Sequence, residues 1–422
     1  MKAQLFRIIE RVLLVAIVAA FVSPLTLTLL RNSPKHFKWL FGHPWIRNHT
    51  LAGVIIRPPD VRFSWPAVAS GEFQKSKANR FNDNFGGREG LIRMTNEVWF
   101  RLFRDTSTHA SKIAVGQNDS LFEKIYLREY FLQRVPKQTL APWVVNLRRL
   151  QDFCRKRGMG FVVVLTPSKA SIYPEDTPLA WRRWYDPRPR AYVQLLELFR
   201  ENGISFVDGS ALVSAEKSAG RLSAPLFPRG GVHWNSRAAW LAADAVQARF
   251  REQNKSLDPI EIMESTLSDH PEGEDADLLR LMNLARPWIY PCERISIKPN
   301  PKPESEQLTM AVIGSSFTWE LIRQLSASQQ FSEVDFYFHY NQYKSCGVDG
   351  IFSTVRTPGI PLDFGSEIFA ADCLLLEINE ASAIFSEHHL SAFIGDALAH
   401  LPEACAGRQP FRFERKGGPP KP

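Results

Sequence analysis

Apolar positions in the middle of the chain alternate between two periods. Val144, Leu147, Leu150, Phe153 and Cys154 keep helical spacing, Gly158 stops that helix, and Phe161-Val162-Val163-Val164-Leu165 is a continuous apolar run ending at Thr166-Pro167. The same pattern repeats with Tyr192, Leu195, Leu196 and Phe199 on one helix face, Asn202-Gly203 as the stop, and Ile204 to Val207 as a strand ending at Asp208. A third helix, Ser236 to Phe250, carries Ala239, Ala242, Ala243 and Val246. The runs ending at Gly314, from Val334 to Tyr340 and from Cys373 to Ile378 complete an α/β fold, a mostly parallel sheet with helices on both faces. Upstream, residues 71–103 read as helices, and Lys112 to Gly116 and Ser120 to Phe122 as short strands around an Asn-Asp turn. Residues 257–275 are polar and acidic, which predicts an inserted surface loop.

The N-terminal pattern differs. Val12 to Leu30 is an apolar run long enough to cross a bilayer, preceded by Lys2, Arg7 and Arg11 and followed by Arg31, Lys35 and Lys38. It predicts one uncleaved transmembrane anchor, residues 1–36. A cleaved signal peptide is the alternative, but no small-residue cleavage pattern follows the run. Basic residues at both ends leave orientation open. A juxtamembrane linker over 37–70, an α/β domain over 71–406 and a disordered basic tail over 407–422 complete the expected organisation.

Composition changes this picture little. The charge of +8 is scattered, and no nucleic-acid-binding motif accompanies it. The five cysteines are far apart, so neither a zinc site nor a dense disulfide framework is indicated, though one or two bridges remain open. Glu387, His388 and His389 do not make a metal site either, since adjacent histidines do not share a helix face.

Two stretches carry candidate chemistry. Met310 to Thr318 breaks from an apolar run into Gly314-Ser315-Ser316 and then into helix. A serine there stands at the carboxyl edge of a sheet, beside helix N-terminal amides able to stabilise an oxyanion. Read alone, Ser315, Ser316 and Thr318 equally suit helix capping. Pro228 to Asn235 is a glycine-loosened loop presenting His233-Trp234 just before a helix, and a histidine there is placed to take a serine's proton.

The order of these segments resembles the alginate O-acetyltransferase family of AlgJ/AlgX type, whose catalytic domains are SGNH-hydrolase-like. The matching stretches are Asn84-Phe85-Gly86-Gly87-Arg88, Val115 to Phe122, Thr166-Pro167-Ser168-Lys169, Gly231-Val232-His233-Trp234 and Gly314-Ser315-Ser316-Phe317. The resemblance implies Ser316 as nucleophile and His233 as base. The family's acid, two residues before the histidine, falls on Gly231, which has no side chain to orient an imidazole. Asp208 at a strand end, or a backbone carbonyl, is left to hold the ring; otherwise the activity is weak or lost.

Family position implies a substrate contact for Lys169, and Arg88 matches the arginine of the helical region. A solvated lysine and a structural ion pair are the plainer readings of these two. Trp181, Arg183, Trp184 and Trp234 offer stacking faces and positive charge for a sugar polymer, with ordinary packing as the alternative. Glu377-Ile378-Asn379-Glu380 resembles the family's closing motif. The resemblance implies an O-acyltransferase, most simply of acetyl, acting on an exported polysaccharide. It would have no soluble cofactor or metal, a polytopic membrane acyltransferase as acyl donor, and its domain on the periplasmic side of the inner membrane. A carbohydrate esterase and a non-catalytic polysaccharide-binding component are the alternatives, the latter favoured by Gly231.

Overall fold

The computed structural model describes residue 14 and residues 51–53, 61–84, 88–106, 112–340, 342–347, 350–356, 362–381 and 389–401. The expected anchor from Val12 to Leu30 and the tail 407–422 lie outside the described residues, Leu14 excepted. Among the described residues no helix is long and apolar enough to cross a membrane.

The chain divides into two compact units: residues 1–111 with 279–288, and residues 112–278 with 289–422. The expected domain 71–406 therefore spans this division. In the smaller unit, Ser64 caps the helix Trp65–Ala69 by accepting from the Ala67 N–H, and Glu72–Asn84 and Arg88–Val98 follow. Phe100 stacks on Trp288 with ring centroids 4.6 Å apart, and Asn96 donates to the Met282 carbonyl at 2.8 Å. These contacts tie the late segment 279–288 to the early helices.

The larger unit is built on strands β1 (Ile113–Val115), β2 (Leu121–Glu123), β3 (Gly160–Thr166), β4 (Phe206–Asp208), β5 (Ile262–Ser268), β6 (Cys292–Ile297), β7 (Leu308–Gly314), β8 (Phe331–Phe338), β9 (Gln342–Cys346), β10 (Phe352–Arg356) and β11 (Cys373–Asn379). Seven form one sheet in the order β10-β9-β8-β7-β11-β3-β4. From β8 to β4 all neighbours are parallel, and β9 and β10 add an antiparallel hairpin at one edge, so the sheet is mixed.

Both faces of the parallel part are covered, which is why its strands are apolar throughout rather than alternating. Val162 and Val164 of β3 pack with Val312 of β7 under the helices Ser236–Arg251 and Thr318–Ala327. Phe161, Val163 and Leu165 face the opposite way, under Lys137–Lys156, Ala191–Glu201 and His389–Ala399. The helix stops fall where glycine punctuation places them: Gly158 and Gly203 adopt φ of 71° and 58°, left-handed backbone that side chains disfavour.

Two local readings change. The helix expected after Pro142 begins at Lys137 and contains that proline. The acidic stretch 257–275 is no simple loop, because β5 within it pairs antiparallel with β6. Its residues stay mostly exposed, so the strand has no apolar alternation to reveal it. The four described cysteines, Cys154, Cys292, Cys346 and Cys373, are buried and unbridged.

Leu321 is fully buried between the helix Thr318–Ala327 and the sheet. Leu321→Ala is expected to lower unfolding free energy by about 2–5 kcal/mol in urea titrations, from lost transfer energy plus a cavity.

Candidate active site

Gly314 ends β7, Ser315 and Ser316 make the turn, and the helix Thr318–Ala327 starts at once, with the Thr318 N–H donating to the Ser315 carbonyl at 3.1 Å. The turn is tight enough to require glycine at 314. A Cβ there would lie 2.2 Å from Thr318 Oγ1 and 2.8 Å from Glu377 Cβ. Glu377, buried near the end of the neighbouring β11, accepts from the Ser315 N–H at 2.7 Å and from Thr318 Oγ1 at 3.2 Å, and also from the Thr166 hydroxyl. Burial pushes its carboxyl up, opposed by these donors. A buried carboxylate thus anchors the backbone one residue before Ser316.

Ser316 Oγ stands 2.8 Å from His233 Nε2, and His233 Nδ1 stands 2.7 Å from Asp277 Oδ2. With Nδ1 protonated towards the carboxylate, Nε2 presents its lone pair to the serine hydroxyl. This hydrogen-bonded arrangement is that of a nucleophile, a base and a group that orients the base. The second oxygen of Asp277 accepts from the Val232 N–H at 2.9 Å and from its own helix at Leu278, so the carboxylate is fixed independently of the ring. The Phe317 ring lies 4.9 Å from the imidazole.

The carboxylate on the imidazole is therefore Asp277, not Asp208. Asp208 caps the helix Gly209–Ser218 through the Ala211 N–H and accepts from the Tyr192 hydroxyl at 2.5 Å. Gly231 has a different reason to be glycine. A Cβ at 231 would come within 2.6 Å of the Glu274 carbonyl oxygen and 2.9 Å of that of Asp275. The bare backbone admits the segment that delivers Asp277. Sequence reasoning missed this residue, which lies 44 positions from the histidine in an acidic stretch where several carboxylates look alike.

Lys169 also differs from its expected role. It is buried, and its Nζ donates to the carbonyls of Leu121, Pro228, Arg229 and Gly231 at 3.0, 2.6, 2.8 and 3.1 Å. Four acceptors already share three N–H donors, which leaves none for a substrate. Its place is structural: it draws the His233 loop against β2. Trp234 is buried too and donates from Nε1 to the Phe317 carbonyl at 3.1 Å, so it braces the Ser316 turn rather than facing a ligand.

Trp181 packs on the small cluster around Phe122 and Phe131, whereas Trp184 is exposed with the Arg183 guanidinium 5.0 Å from its ring. Arg88 opens the helix Arg88–Val98 of the smaller unit. Among the described residues no group of His, Cys, Asp and Glu is arranged to hold a metal ion.

The family described as the SGNH hydrolase-like domain of the acetyltransferase AlgX matches residues 113–331, just over half of the chain. The chain belongs to that family. Its α/β architecture is accordingly the SGNH-like one. Among solved structures, the O-acetyltransferase domain of Pseudomonas putida AlgJ is similar at 19% identity and a TM-score of 0.45, over 69% of this chain and 99% of that one. Pseudomonas aeruginosa AlgX is similar at 15% identity and a TM-score of 0.41, over 70% and 68%. Bacillus cereus PatB1 is similar at 10% identity and a TM-score of 0.41, over 65% and 98%. No curated protein matches the chain in sequence.

Gly231→Asp, which gives position 231 the acid that the family resemblance implies there, is expected to destabilise the fold by about 1–3 kcal/mol and to lower rather than raise any Ser316-dependent turnover. Thermal melting together with an ester assay checks both. Lys169→Met is expected to lower turnover through displacement of His233, with little change in substrate KM, in steady-state kinetics.

Proposed function

We propose that this protein transfers an acetyl or other short acyl group onto hydroxyls of an exported polysaccharide through an ester on Ser316. The observation that carries this reading is the unbroken chain Ser316 Oγ, His233, Asp277, with contacts of 2.8 and 2.7 Å. His233 Nε2 takes the serine proton as Oγ attacks the donor carbonyl, and the imidazolium, stabilised by Asp277, returns that proton to the leaving group. The Ser316 N–H, which donates to no group among the described residues, is available for the oxyanion. In the second half, a sugar hydroxyl gives its proton to Nε2 and attacks the acyl carbonyl. The new ester leaves, and the proton returns to Ser316 Oγ.

The same reading takes Val12 to Leu30 as an inner-membrane anchor, sets the larger unit in the periplasm and draws the acyl group from a polytopic membrane acyltransferase. Membership of an acetyltransferase family supports the acyl-transfer part. The binding-only alternative loses its supporting feature, since Asp277 fills the role that Gly231 leaves vacant. Hydrolysis is the expected side reaction when water replaces the sugar.

The full-length chain is expected to release nitrophenol from p-nitrophenyl acetate and to accumulate an acetyl adduct on Ser316 visible by intact-mass spectrometry. Ser316→Ala and His233→Ala should each abolish the adduct, and Asp277→Asn should lower turnover by about 10³–10⁴-fold. Asp208→Asn should leave turnover near wild type. Equal turnover in wild type and Ser316→Ala would overturn the serine mechanism.

A further inference from the structure

A cavity of about 280 Å³ lies at the carboxyl ends of β11, β3 and β4, separate from the Ser316 chemistry. Glu380 follows β11, Ser210 follows β4, and Ser168, which binds Glu380, follows β3. Since β11, β3 and β4 follow β7 in the sheet, the cavity's lining stands one to three strand spacings from the strand that ends at Gly314, roughly 5–15 Å along the same sheet edge. The short helix Lys169–Ile172 lies between them: Lys169 holds the His233 loop, while Ser171 and Ile172 line the cavity.

The Arg190–Glu380 pair and the hydroxyls of Ser210 and Tyr192 in its lining already have partners. Arg190 donates to Glu129 from Nε at 3.1 Å and Nη2 at 2.5 Å, and Nη2 also reaches Glu380 at 3.1 Å. Glu380 accepts further from the Ser168 N–H and hydroxyl at 2.8 and 2.5 Å and from Ser210 Oγ at 3.3 Å. Tyr192 donates its hydroxyl hydrogen to Asp208. Arg190, the one cation among the lining residues, thus faces two carboxylates. The hydroxyls of Ser210 and Tyr192, having given their hydrogens away, keep lone pairs that accept. Tyr130 and the exposed Tyr185 add aromatic walls.

A uronate carboxylate, which only accepts hydrogen bonds, meets one cation already paired with two carboxyl groups, acceptor oxygens and the negative charge of Glu380, with Asp208 behind Tyr192. A ligand that donates several hydroxyls and lays an apolar C–H face on a ring meets what it needs. The volume falls just under the ~300–1,000 Å³ usual for drug-sized ligands, which suits one sugar ring.

We propose that this cavity is an acceptor subsite for an uncharged pyranose unit of the polysaccharide, next to the unit that takes the acyl group. The inference rests on the acyl-transfer reading above and narrows its substrate class to glycans containing neutral sugars. The subsite sits on the far side of the helix Lys169–Ile172 from the His233 loop, so the sheet edge sets the distance between the bound unit and the modified one.

Saturation-transfer NMR on the full-length chain tests it, with methyl gluco-, galacto- and mannopyranoside and the three corresponding methyl uronates as probes. At least one neutral pyranoside should give signals that its uronate does not. Ala211→Trp, which fills the cavity from an exposed lining position, should weaken binding by about tenfold or more, a shift of roughly 1.4 kcal/mol. Its melting temperature should match wild type, and Ser214→Trp serves as a second filling variant should Ala211→Trp melt lower. Ser316→Ala should keep the wild-type signals. Uronate signals equal to or stronger than the neutral ones, signals untouched by both filling variants, or no signal from any of the six sugars would overturn the subsite. Acyl transfer itself is judged separately by ester turnover in wild type against Ser316→Ala, so failure of one reading is distinguishable from failure of the other.

Discussion

One ammonium group holds the candidate site in register. Lys169 Nζ gathers the carbonyls of Leu121, Pro228, Arg229 and Gly231, three of them from the loop that leads into His233. A glycine-containing loop has many backbone conformations open to it, and a base must be held to within a fraction of an ångström of its nucleophile. Buried carbonyls need partners, and here a single side chain serves all four at once. The imidazole then needs to be turned only about its own side-chain bonds, which Asp277 and the Phe317 ring accomplish.

The candidate nucleophile is held by a different device of the same kind. Glu377 is a buried carboxylate accepting from the Ser315 backbone and the hydroxyls of Thr166 and Thr318, so adjacent strands and the new helix meet at one acceptor. The two halves of the site are fixed separately, one by Lys169 and the other by Glu377, and they meet through the contact between Ser316 and His233, the Trp234 hydrogen bond to the Phe317 carbonyl and the packing of the Phe317 ring on the imidazole. Lys169 has no donor left over for a ligand and Glu377 is buried under the turn it holds, which separates supporting residues from candidate reacting ones more sharply than family position does.

What could be read in the chain follows from how local each signal is. The αβ units were legible because apolar runs and glycine stops such as Gly158 and Gly203 act within a few residues. Ser316 and His233 were legible for the same reason, each sitting on a turn that a short pattern specifies. Lys169 was not, because a lysine following a proline looks solvated until four carbonyls from distant segments are seen to enclose it. β5 was hidden by its exposure, since a strand with no buried face carries no alternation. Asp277 was hidden by distance: nothing in Glu274-Asp275-Ala276-Asp277 tells which carboxylate folds back onto a ring 44 residues earlier.

The bare backbone at Gly231 has a consequence for how such chains are sorted. A rule that asks for Asp-x-His before the tryptophan would set this sequence among relatives that have lost their catalytic acid, although a carboxylate stands at the same ring nitrogen. Here the acid comes from the neighbouring segment, and glycine at 231 allows it because a side chain at 231 and the main chain at 274–275 cannot occupy the same space. The covarying pair to look for across the family is thus a small residue at 231 with an acid at 277.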